Sequence, residues 1–146
     1  MASVKKVLCA VDFSDYSPKV AEYASMIAGC AGAQVLVLYV APSLSQYVGF
    51  HVPPSSIENF VGEIVTGAED TMYEFVKDNF KDPATVGKVV TGYPAEEILA
   101  IAEAEQCDMI IMGTHGRKGI DRILFGSVAE KIVKSSKVPV LTVRPS

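Results

Sequence analysis

The sequence predicts an α/β fold, a three-layer sandwich built on a Rossmann-like five-stranded parallel sheet with helices on both faces, and three observations carry that expectation. Five short segments are almost continuously apolar, as strands must be when both faces of a sheet are covered. The longer segments between them repeat apolar residues at helical spacing, so each presents one face to a core. The two kinds alternate along the whole chain, which is the pattern of right-handed strand-helix-strand crossovers. With 146 residues the chain can bury well over half of its unfolded surface, and one domain over 1–146 is expected.

The elements follow in order. Lys6 to Val11 reads as the first strand and ends at Asp12. Ser17 followed by Pro18 reads as an N-cap and first helical residue, after which Val20, Ala24, Ile27 and Ala28 share a face until Gly29 or Gly32 stops the helix. Gln34 to Val40 is a second strand. Pro42 to Ser56 is polar and rich in glycine and proline, an irregular segment long enough to be a flap, and His51 within it is expected to play no chemical part. A long helix follows, its stripe running from Ile57 through Phe60, Val61, Ile64, Ala68, Met72 and Phe75 to Val76 despite Gly62 and Gly67. Val86 to Thr91 is a third strand, and Pro94 opens a third helix with Glu96 and Glu97 at its positive end and Ile98, Leu99, Ile101 and Ala102 facing inward. Asp108 to Met112 is the fourth strand. A helix from Ser127 to about Ser136, with Val128, Ala129, Ile132 and Val133 on one face, and a fifth strand over Val138 to Val143 complete the pattern.

Composition narrows the function. A formal charge of −4 argues against broad nucleic-acid binding, which needs dense Lys and Arg to neutralise phosphates. No run approaches the roughly 20 apolar residues that span a bilayer, and the N-terminus lacks the apolar core of a signal peptide, so a cytoplasmic protein with no membrane partner is expected. Cys9, Cys30 and Cys107 have no paired spacing and are expected to pack as small buried apolar groups.

The chemistry concentrates between Gly113 and Ser127. This loop joins a buried strand to a helix, where unpaired N–H groups and the positive end of the dipole receive an anion. Gly113, Gly116 and Gly126 are expected to let the backbone approach a ligand and take positive φ. Arg117, Lys118 and Arg122 cluster there in an otherwise acidic chain, and His115 either touches a phosphate or is solvated. The spacing departs from a Walker loop, since Lys118 and Gly119 stand where glycine then lysine would be required, and no G-x-G occurs. What it has is G-x2-G-x9-G-S. A dinucleotide oxidoreductase is disfavoured again by the absence of glycine after the first strand and of an acidic residue after the second.

That spacing after Met112 resembles the signature of the universal stress protein family in its ATP-binding branch. Val-Asp-Phe-Ser, Leu-Tyr-Val-Ala-Pro, Gly-Tyr-Pro-Ala-Glu-Glu-Ile-Leu, Met-Gly-Thr-His-Gly-Arg, Phe-Gly-Ser-Val-Ala-Glu-Lys and Val-Pro-Val-Leu-Thr-Val-Arg-Pro are similar to family segments in the same sequence of appearance. The resemblance implies strand order 3-2-1-4-5, with Asp12 near the adenosine, Ala10, Val11 and Val40 as an adenine wall, and Met112, Gly113, Gly116, Gly126, Ser127 and Val128 around ribose and phosphates. It also implies a homodimer through the last strand, at Val138, Val140, Leu141, Thr142 and Val143. From its own chemistry, Asp12 can accept from ribose or adenine, or merely flank the next helix as a cap.

The expected function is therefore an ATP-binding stress-response regulatory protein, taking ATP, ADP or AMP, with magnesium or manganese bridging the phosphates. Two alternatives stand beside it: a slow ATPase, and a scaffold acting through its dimer surface with the nucleotide site empty. No Walker lysine or catalytic triad is legible, so no catalytic residue is assigned.

Overall fold

The computed structural model describes residues 2–41, 54–115 and 126–145, and for the helix that begins at Pro54 it describes side chains at position 59 and from 62 onward. Among the described residues nine elements alternate: β1 (Lys6–Ala10), α1 (Ser17–Ala31), β2 (Gln34–Ala41), α2 (Pro54–Asn79), β3 (Val86–Thr91), α3 (Pro94–Ala104), β4 (Met109–Gly113), α4 (Ser127–Ser135) and β5 (Val140–Val143). The strands form one sheet in the order β3-β2-β1-β4-β5, and every pairing is parallel. The expected fold and order are therefore the observed ones.

The alternation of side chains along a strand sorts the core into two layers. Val7, Cys9, Val35, Val37, Ile111 and Val143 face α1 and α2, meeting Val20, Ala21, Ala24, Ala28 and Met72. Leu8, Leu36, Leu38, Ile110 and Met112 face α3 and α4, meeting Ala95, Ile98, Ala102, Ala129 and Ile132. Small residues on the helices let them lie close to the sheet, and large ones on the strands fill the gap. Leu8, Leu38, Ile110, Ile111 and Ile132 are fully buried, each stabilising the fold by about 1.5–3 kcal/mol relative to exposure.

The amino ends of the strands are fastened electrostatically. Asp108 Oδ2 accepts from the Lys5 and Lys6 N–H groups at 2.8 and 3.1 Å, tying the start of β4 to the start of β1. Glu105 pairs with Lys6 and Lys88 at 3.2 and 3.4 Å, and these two cations hold its carboxyl below the usual range.

Several expectations are corrected. The α2 helix starts at Pro54, inside the segment read as irregular, because proline fits the first helical position; residues 42–53, with His51, lie outside the described residues, as do the side chains of Ile57, Phe60 and Val61. The β5 strand starts at Val140 rather than Val138. Ser136 Oγ both accepts from the Val138 N–H at 3.1 Å and donates to the Val138 C=O at 2.7 Å, which removes Val138 from the ladder. Cys30 is exposed on α1, whereas Cys9 and Cys107 are buried. Val133 points outward on α4, 48 % exposed, a position one residue beyond the buried Ile132.

Candidate functional site

Parallel sheets bind ligands beyond the carboxyl ends of their strands, where the strand order reverses. Here the reversal lies between β1 and β4, since the chain runs outward from β1 to β2 and β3 and then returns to β4. A cavity of about 480 Å³ opens at this point. Ala10, Val11, Asp12, Val40, Met112, Gly113, His115, Gly126, Ser127 and Val128 all line it. Of the predicted nucleotide residues, Gly116 and Arg117 lie outside the described residues, together with Lys118 and Arg122.

At the end of β1 the Asp12 carboxylate is held by its own turn. Its Oδ1 accepts from the Ser14 N–H at 3.0 Å and from Ser17 Oγ at 3.1 Å. This corrects the reading of Ser17 as an N-cap. Tyr16 occupies the cap position of α1 with no side-chain bond, and Ser17 is 2 % exposed with its hydroxyl turned back to Asp12. Between them Phe13 has φ +59°, a left-handed conformation that costs a non-glycine residue roughly 1–2 kcal/mol.

On the other side of the cleft, the Gly126 N–H donates to the Thr114 C=O at 2.7 Å, closing the base of the loop. That bond brings the start of α4 against the end of β4. The first intrahelical bond of α4 runs from the Glu130 N–H to the Gly126 C=O at 3.0 Å, so Ser127, Val128 and Ala129 contribute the leading N–H groups of the helix where they line the cavity. Thr114 is buried, and its Oγ1 lies 2.7 Å from His115 Nδ1.

The glycines work differently from the expectation. Gly126 has φ −71°, and among the described residues the positive-φ glycines are Gly32 and Gly92, not Gly113 or Gly126. What Gly113 and Gly126 supply is room. A Cβ at Gly126 would stand 3.3 Å from the Thr114 carbonyl oxygen, and one at Gly113 would stand 3.3 Å from that of His115.

The wall between the two ends is apolar, from Ala10, Leu38, Val40 and Met112 with Pro94 and Ile98 of α3. Val11 N–H donates to Leu38 C=O at 2.9 Å, so the alternation of a strand directs the N–H and C=O of Val40 to the same side, past the point where β1 has ended. Sequence reasoning missed Pro94, Ile98, Tyr16 and Tyr39 as lining residues. The signal available for α3 was that its start at Pro94 follows the carboxyl end of β3 with two residues between, on the same side of the sheet as the start of α4.

An open, doubly wound parallel sheet with a cavity at its switch point is the architecture in which proteins of the mononucleotide-binding type hold their ligands. The chain belongs to the universal stress protein family, whose family model matches residues 3–144. It is 34% identical over 142 residues to universal stress protein MJ0531 of Methanocaldococcus jannaschii, a match covering 96% of this chain and 82% of that protein. Universal stress protein MJ0577 of the same organism is 32% identical over 153 residues, covering 96% and 94%. The solved structure of MJ0577 aligns with a TM-score of 0.84 over 98% of this chain and 97% of that one, at 29% identity. The universal stress protein of Archaeoglobus fulgidus in complex with dAMP shares the fold, with a TM-score of 0.67, 23% identity and coverage of 97% and 98%.

Proposed function

We propose that this chain is an ATP-binding regulatory protein of the stress response, acting in the cytoplasm as a single domain and holding the nucleotide in the cleft between β1 and β4. The observation that carries the reading is the meeting, in one cavity, of a fixed carboxylate at the end of β1 and a helix start at the end of β4. The apolar wall of Ala10, Val11 and Val40 suits a planar base, and the outward N–H and C=O of Val40 offer a donor and an acceptor to its edge. Asp12 accepts from ribose or base, and the phosphates lie against Gly113, His115, Gly126, Ser127 and Val128; Gly116 and Arg117, expected to bind nucleotide as well, lie outside the described residues. A fold neighbour in complex with dAMP makes an adenine nucleotide the natural class.

Magnesium or manganese arrives with the nucleotide. Among the described residues no group of three or more His, Cys, Asp or Glu is placed to hold a metal ion, so the phosphates themselves supply most of the oxygen ligands such a cation requires. Hydrolysis, where it occurs, is slow and works as a timer.

The experiment is calorimetric titration of the purified protein with ATP, ADP, AMP and GTP, together with chromatography of nucleotide released by acid. ATP affinity exceeding that for GTP supports the reading. Absence of any nucleotide affinity overturns it in favour of the scaffold, and a metal-dependent turnover above about 1 per second overturns the regulatory assignment in favour of an enzyme.

The same reading includes a homodimer across β5. The Ile110 N–H donates to the Pro139 C=O at 3.0 Å and the Thr114 N–H to the Val143 C=O at 2.9 Å, so the odd residues of this stretch face β4. Val140, Thr142 and Arg144 therefore turn their backbone groups outward, and no strand among the described residues pairs with that side. Proline lies on the inward set, so its missing N–H does not interrupt the outer row.

A further inference from the structure

We infer that Phe13 is a positioning residue of the cleft, its ring locking a left-handed turn that holds the Asp12 carboxylate in place; the inference rests on the nucleotide reading above for its binding readout alone. Bulky side chains rarely adopt positive φ, and they persist there only where the surroundings over-determine them. The surroundings here are aromatic. The Phe13 ring lies 4.6 Å from that of Tyr39, tilted by 33°, and 5.8 Å from that of Phe75, edge to face at 63°. Phe75 in turn meets Phe80 at 6.5 Å. Tyr39 comes from β2 and Phe75 from α2, so the ring is held from two elements at once.

The turn has a definite product. Reversing the chain at Phe13 brings the Ser14 N–H back to Asp12 Oδ1 at 3.0 Å and lets Ser17 Oγ reach the same oxygen at 3.1 Å. Glycine would adopt this φ without strain and would serve a turn whose only task was to reverse direction. Phenylalanine makes the turn conditional on the packing of α2 against β2. Tyr39 belongs to both arrangements, stacking on Phe13 and lining the cleft. An aromatic chain thus runs from the cleft wall to α2, with the Asp12 turn attached to its middle.

Two substitutions separate positioning from packing. Phe13→Ala and Phe13→Gly both delete the ring, but only glycine accepts φ near +59° without help. Two measurements are made on each: hydrogen exchange of the Ser14 amide in the nucleotide-free protein, and ATP affinity by calorimetry. The alanine variant is expected to exchange Ser14 about tenfold faster and bind ATP about tenfold more weakly than wild type, while the glycine variant stays within about threefold of wild type in both; tenfold corresponds to about 1.4 kcal/mol. Equal effects of the two variants in both measurements would overturn the inference and reduce Phe13 to a packing residue. A wild-type protein without ATP affinity, with the Ser14 ranking intact, sinks the nucleotide reading and leaves the positioning role supported. ATP affinity with no difference in Ser14 exchange does the reverse. Should neither Phe13 variant fold, Phe75→Leu removes one ring contact without touching the turn, and is expected to speed Ser14 exchange about threefold; unchanged exchange would likewise overturn the inference.

Discussion

Gly126 and Ser127 sit side by side at the start of α4 and fail in different ways when replaced. A branched side chain at Gly126 meets the Thr114 carbonyl oxygen, which already lies 3.3 Å from an ideal Cβ, and forces open the base of the loop. Gly126→Val is therefore expected to lower ATP affinity more than about tenfold by calorimetry, and unchanged affinity would refute the assigned phosphate site. Ser127→Ala is expected to cost roughly 1.5–3 kcal/mol of binding to a charged oxygen, with an unchanged melting temperature because Gly126 holds the N-cap position. Cys9 supplies a test free of ligand. Burial pushes its thiol up to about 12 from an ordinary value near 9. The folded chain thus keeps a proton that the unfolded chain gives up above about pH 9, so stability falls as pH rises from 9 toward 12, by at most about 1.4 kcal/mol per pH unit. Denaturant unfolding of Cys9→Ala, measured beside wild type, should show a shallower decline over that window. At this scale the sequence was legible where chemistry and position coincide: Asp12 stands at a strand end, and Ser127 at a helix start. It misled at Ser17, because a serine before a proline has the local form of a cap, and only the fold shows that a carboxylate five residues earlier competes for the hydroxyl. It misled again on the glycines, since closeness to Thr114 and His115 cannot be read from a spacing.

The two helices α1 and α3 end on the same motif with different residues. After α1 the Ala33 N–H reaches back to the Ala28 C=O at 2.8 Å around Gly32 at φ +68°, and after α3 the Cys107 N–H reaches the Ala102 C=O at 2.8 Å around Gln106 at φ +55°. A Cβ at Gly32 would meet nothing within 4 Å, so Gly32→Ala tests backbone strain alone and is expected to cost about 1 kcal/mol of unfolding free energy. Gln106→Gly should act in the opposite sense, stabilising by up to about 1 kcal/mol in the same denaturant assay. Opposite signs for the pair are the expectation, and equal signs would contradict it. Periodicity located every element, because each buries one defined stripe or both faces. Boundaries moved where a local polar bond outcompeted the ladder, as the Ser136 hydroxyl does at Val138, and where proline began a helix earlier than the apolar pattern, as at Pro54.

Among the described residues the sheet ends on β3 at one side and on β5 at the other, and the proposed dimer uses the second. Val140, Leu141 and Thr142 are half-buried along β5, and two helices that touch this strand, α1 and α4, expose Tyr23 and Met26 and Val133 respectively. Covering these groups together with the outward backbone of Val140 and Thr142 favours a second copy running antiparallel. Light scattering of the wild-type protein at micromolar concentration should give twice the chain mass, and Val140→Lys should reduce it to one; a wild-type mass of one chain would refute the contact. The direction of the strands sets the limit of such assembly. All five run the same way, so β3 and β5 present unlike borders. A β5 border that meets its own copy turns the second sheet around, and the ten strands then end on β3 at both extremities, with no β5 left to extend them. A β5 border that met β3 of another copy would preserve the direction, leave a fresh β5 exposed at the far end, and grow into a ribbon of indefinite length. Handshake or queue is thus decided by whether the fifth strand recognises itself.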